Sequence, residues 1–155
     1  MMTHGKILVP SDFSDQSSEA LRRACIMARQ FKAEVHLVHV IEPPVYIDAD
    51  LMLMSPIDTM IKVQHEAASK RLAEQLDSVD VKDVLVHTMI EDAYVNPAQT
   101  ICELAKSLPA ELIVIGRHSE KGVLEHLFIG STAEEVVRRA PCSVLVTMPH
   151  GLFEE

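Results

Sequence analysis

Two glycine-bearing turns and one acidic turn hold most of the chemistry this chain can offer. Gly116 follows the apolar run 112–115, and Gly130-Ser131-Thr132 opens a stretch, Ala133-Glu134-Glu135-Val136-Val137, with helical spacing. A helix starting there aims unpaired backbone N–H groups and its positive dipole end at whatever precedes it, which suits a phosphate. Arg117, His118 and Lys121 add cations beside the glycines. At the other end of the chain, Pro10-Ser11-Asp12-Phe13-Ser14 sets a carboxylate and two hydroxyls in a turn. Each residue also has a purely structural use. Ser131-x-x-Glu134 reads as a capping box, Asp12 as an Asx-turn residue, and glycine is common in turns.

The elements that must position these turns alternate. Residues 6–10 form a first strand, and Ser14 caps a helix over 16–31 with Ala20, Leu21, Ala24, Ala28 and Phe31 inward. A second strand spans 35–41. The apolar segment 44–57 is either a binding loop or the early start of the next helix. That helix runs over 57–76 with Ile57, Met60, Ile61, Ala68, Leu72 and Leu76 as its stripe. A third strand spans 84–90, and Asn96-Pro97 caps a helix that Pro109 stops. Strand 112–115, helix 131–140 and strand 143–147 complete the series.

This alternation predicts an α/β fold: a single open five-stranded parallel sheet, order 3-2-1-4-5, with helices on both faces and residues 1–155 in one domain. The winding then reverses between strands 1 and 4. Ligands of such sheets lie at the carboxyl ends of the strands at that reversal, here Pro10-Ser11-Asp12 and Gly116-Arg117-His118.

Composition narrows the partners. A formal net charge of −9 over 155 residues opposes binding to nucleic acid or an anionic membrane surface. Aromatic residues are 4% with no Trp, too few for base-stacking platforms. No apolar run reaches the roughly 20 residues a membrane-spanning helix needs, and the first residues do not read as a signal peptide. A cytoplasmic protein with reduced thiols at Cys25, Cys102 and Cys142 is the expectation. The eight histidines show no metal-ligand spacing; His36 and His39 share a strand but face opposite ways.

The segments Ile7-Leu8-Val9-Pro10-Ser11-Asp12-Phe13-Ser14, His39-Val40, Gly116-Arg117-His118, Gly130-Ser131-Thr132 and Ala140-Pro141-Cys142-Ser143-Val144-Leu145-Val146 together resemble the universal stress protein family. The likeness spans nearly the whole chain. Nucleotide-binding members carry Gly-x-x-Gly, nine residues, then Gly-Ser or Gly-Thr. Here Ser119 stands at the second glycine, and ten residues separate it from Gly130. The resemblance implies ATP, with Mg²⁺ between its phosphates and Asp12 or Ser131. Pro10, Ser11 and Asp12 would line one wall, and Val40 would meet adenine. Gly116, Arg117, His118, Gly130, Ser131 and Thr132 would hold ribose and phosphates. It also implies a homodimer through strand Ser143–Thr147 and an unspecified protein partner. With no supported general base and no P-loop spacing, the chain reads as a regulatory binding module, at most a slow ATPase. The alternative is a nucleotide-free stress protein acting through dimerisation and protein contacts.

Overall fold

A computed structural model describes residues 5–42, 57–117 and 129–148. In chain order the elements are β1 (Lys6–Pro10), α1 (Asp15–Phe31), β2 (Glu34–Ile41), α2 (Ile57–Ser78), β3 (Val86–Asp92), α3 (Pro97–Ser107), β4 (Leu112–Gly116), α4 (Ser131–Arg139) and β5 (Ser143–Thr147). The five strands pair in parallel in the order β3-β2-β1-β4-β5, as the alternation required.

Alternate strand residues feed two cores. Ile7, Val9, Val35 and Leu37 meet α1 and Leu72 of α2 on one face. Leu8, Val38, Ile113 and Ile115 meet α3 and Ala133 and Val136 of α4 on the other. The central strands are covered on both faces, which explains their unbroken apolar runs.

Pairing between β1 and β4 covers only Ile7↔Leu112 and Leu8↔Ile113. Between β2 and β3 it runs from Val35↔Val86 to Ile41↔Asp92. The two strands at the winding reversal therefore continue past their ladder toward their carboxyl ends, where Pro10 has no N–H to donate.

Local chemistry places the helix ends. Ser14 caps α1 by accepting from the Ser17 N–H, and Asn96 caps α3 by accepting from the Gln99 N–H at 2.9 Å. Pro97 follows at the first helical position. Several expectations need correction. Phe31 is 63% exposed, because α1 ends there and Lys32 turns into the left-handed region at φ 54°. Ile57, Met60 and Ile61 are also exposed, and α2 buries only Ala68, Leu72 and Gln75. β3 starts at Val86 rather than residue 84. Asp83 at φ 61° and a bond from the Val84 N–H to the Val81 carbonyl fold the preceding residues into a turn. The strand gains length at its far end instead, where the Ala93 N–H bonds to the Ile41 carbonyl.

Candidate functional site

A cavity of about 580 Å³ opens at the carboxyl ends of β1, β2 and β4. Pro10, Val40, Ile115 and Gly116 bring the strands to it, α2 contributes Gln64 and Arg71, and Gly130-Ser131-Thr132 brings the start of α4. Of the residues picked out by sequence, Pro10, Ser11, Asp12, Val40, Gly116, Gly130, Ser131 and Thr132 all line it. Arg117 is not among the lining residues; its guanidinium donates to the Met148 sulfur at 3.5 Å. His118, with Ser119, Lys121 and the expected loop segment 44–56, lies outside the described residues.

The two glycines are there for different reasons. Gly130 sits at φ 95° and ψ 143°, close to a region that only glycine enters readily. Gly116 has no such dihedral. A Cβ there would lie 2.6 Å from the Gln16 carbonyl oxygen, so close helix–strand approach excludes any side chain.

At the start of α4 the capping-box expectation fails. Gly130 is the N-cap, no side chain among the described residues caps the helix, and exposed Ser131 is its first residue. The Glu134 N–H closes the first turn onto the Gly130 carbonyl at 2.9 Å. The earlier N–H groups are those a helix cannot satisfy from within, and they start at the cavity wall.

The acidic turn is tightly used. Asp12 accepts from both the Ser14 N–H and the Ser14 hydroxyl, the local turn its sequence position allowed. Buried Ser11 donates its hydroxyl to Gln75 Oε1 at 2.6 Å, while Gln75 Nε2 donates to Ser17 and Ser18 at 3.0 Å each. The Ser11 side chain thus secures α2 behind the cavity wall. Gln75 fell outside the apolar stripe and gave no sequence signal.

Three further lining residues carried no expected role at the site. Phe13 adopts φ 66° and stacks its ring on His39, with centroids 4.2 Å apart and planes tilted 31°. The Arg71 guanidinium carbon lies over the same Phe13 ring, 4.2 Å from its centroid. His39 donates its Nδ1–H to the Ser11 carbonyl oxygen, 2.7 Å away. Arg71 brings a cation to the cavity from α2, whereas the sequence had placed all of them near Gly116.

Burial raises the thiol pKa of Cys25, Cys102 and Cys142, so none supplies a thiolate readily near neutral pH. None of the three lines the cavity. No described helix is long and apolar enough to cross a membrane.

Comparison with known proteins gives a consistent result. The profile of the universal stress protein family matches residues 3–147. A universal stress protein of Methanocaldococcus jannaschii is 36% identical over 144 residues, covering 91% of this chain and 80% of that one. The solved structure of UspA from Lactobacillus plantarum superposes with a TM-score of 0.75 at 26% identity, covering 96% of this chain and all of the other (100%). A universal stress protein from Archaeoglobus fulgidus, solved in complex with dAMP, gives a TM-score of 0.64 at 22% identity, covering 94% and 98%.

Proposed function

The chain belongs to the universal stress protein family, and on that premise we propose that it binds an adenine nucleotide, ATP foremost, in the cavity between β1, β4 and α4. The observation that carries this reading is the start of α4. Its first N–H groups, which a helix cannot satisfy from within, and its positive dipole end open on the cavity, and among the described residues no side chain caps them. The solved relative that holds dAMP supports the ligand class.

In this reading Pro10, Ser11 and Asp12 form one wall and Val40 meets the adenine. Gly116, Gly130, Ser131 and Thr132 surround ribose and phosphates, with Arg117 and His118 as outer cations. Asp12 and Ser131, both on the cavity, are the residues that would contact a Mg²⁺ carried in with ATP. Asp12 offers hard oxygen chemistry suited to that ion. Occupancy, rather than turnover, is the output: a cytoplasmic regulatory module whose partner contacts respond to the bound nucleotide.

We further propose that it acts as a homodimer through Ser143–Thr147. Among the described residues β5 pairs only with β4, and Leu145, 38% exposed, points away from the core that holds Val144 and Val146. Leu145→Lys should convert the dimer to a monomer in size-exclusion chromatography; an unchanged dimer dismisses this edge.

Isothermal titration with ATP, with and without Mg²⁺, tests the nucleotide reading. Saturable heat that Gly130→Val and Asp12→Ala both abolish is expected, and no heat at millimolar nucleotide removes it. The nucleotide-free alternative draws on Ser119 and the longer loop before Gly130. Nucleotide released on denaturing freshly purified protein, read as absorbance near 260 nm, would eliminate that alternative.

A further inference from the structure

Glu34, His36 and His87 lie at the amino ends of β2 and β3, at the opposite end of the sheet from the cavity, with ligand-capable atoms within 4.8 Å of one another. Strand register makes the cluster. His36 pairs opposite His87, and Glu34 lies two residues before His36 on the same face. His36 Nε2 is 2.9 Å from Glu34 Oε1, and His87 Nε2 is 3.6 Å from Glu34 Oε2. Tetrahedral zinc, with bonds of about 2.0–2.1 Å, sets its donors roughly 3.3 Å apart, between those two spacings.

We propose that Glu34, His36 and His87 form a binding site for a divalent transition metal of the zinc class, with the remaining coordination open to solvent beside His87. Two imidazoles and one carboxylate match the ligand preference of zinc or cobalt and not of magnesium or calcium, which take oxygen. Glu34 and His36 are buried at 8% and 6% exposure, which excludes competing water from two of the three donors. The His87 side chain is 45% exposed and supplies the entry.

Two features set the affinity. The imidazole rings stack, with centroids 4.7 Å apart and planes 21° from parallel, so His87 must turn out of the stack to aim its nitrogen at a shared ion. Among the described residues His36 Nδ1 has no hydrogen-bond partner, so the outer contact that usually orients a metal-bound imidazole is missing there. Lys6, 3.7 Å from Glu34 Oε1, also competes for the carboxylate. Micromolar rather than nanomolar binding follows. The bound ion would tie the edge strand β3 to β2 and so stabilise the fold by mass action.

The test uses the full chain without an affinity tag. Titration calorimetry with zinc chloride should give one site of micromolar affinity. Cobalt(II) should develop the visible absorption of a tetrahedral centre. At a hundredfold excess over Kd, zinc should raise Tm by roughly 5–10 °C. His87→Ala, at an exposed position where folding is not at risk, should weaken binding at least tenfold and remove the cobalt band. Glu34→Gln, checked for folding by circular dichroism, should do the same. His65→Ala serves as the control, because His65 Nε2 lies 3.0 Å from both oxygens of Asp92 and forms a separate histidine–carboxylate pair. Binding kept in His65→Ala and lost in His87→Ala supports the site. Absence of zinc heat, or binding that His87→Ala leaves intact, overturns it.

Discussion

Replacing Gly130 by alanine puts the phosphate-holding geometry under direct strain. At φ 95° and ψ 143° an L-residue is held where its Cβ collides with its own backbone. If α4 keeps its place, the strain costs roughly 1–3 kcal/mol. If the backbone instead relaxes to negative φ, that cost shrinks, but the first turn of α4 rotates and its N–H groups leave the cavity. Urea unfolding reads the first outcome and ATP calorimetry the second. Gly130→Ala should therefore lose at least about 1 kcal/mol of stability, or at least tenfold in nucleotide affinity, or a share of each. Ser131→Ala is the matched control. Among the described residues no side chain caps α4, so in urea unfolding it should stay within about 0.5 kcal/mol of the parent, where loss of a true N-cap costs about 1. A Gly130→Ala protein that matches the parent in both measurements would refute the argument.

Other consequences can be checked together. Glu19 is 6% exposed, and hydrogen bonds from Arg22, with further help from Arg23, hold its pKa at about 2 despite the opposing effect of burial. Against about 4.3 in the unfolded chain, that depression contributes about 2–3 kcal/mol above the unfolded pKa, and it fades as pH falls from about 4 toward 2. Glu19→Gln should thus narrow the stability gap between pH 7 and pH 3 by a little over half of that, about 1–2 kcal/mol, in urea titrations; identical acid transitions would contradict it. Gly116→Ala, with its Cβ forced onto the Gln16 carbonyl, should cost about 1–3 kcal/mol by overpacking, measured by thermal unfolding. Gln75→Leu removes the amide that joins Ser11, Ser17 and Ser18, and it should lower stability by about 1–3 kcal/mol in urea unfolding.

What the sequence made legible follows from which physics is local. Strand order and two-faced burial could be read because the runs at 7–9 and 112–115 are apolar without alternation, and because helical stripes separate them. Asn96-Pro97 and Ser14 worked as helix starts because a cap is a contact between near neighbours. Gly116 and Gly130 were found as a pair, but only the folded chain separates crowding at one from dihedral demand at the other. Ser131 looked like a cap because the motif is right; the backbone placed the boundary one residue earlier. Arg71, Gln75 and His87 were missed for a common reason. Each acquires its role from a partner far along the chain, Phe13, Ser11 and His36 respectively, and no periodicity encodes such a meeting.

The two-pair ladder between β1 and β4 has a mechanical counterpart in α1. Where the hydrogen-bonded seam ends, the first turn of α1 leans on Gly116 so closely that backbone touches backbone. That turn acts as a clasp across the gap, holding the β4–β5 half to the β3–β2–β1 half from outside the sheet plane. A crevice can therefore stand open between the halves without the sheet coming apart, and amide exchange at Val114–Gly116 should track the integrity of the α1 N-terminus more closely than that of either neighbouring strand.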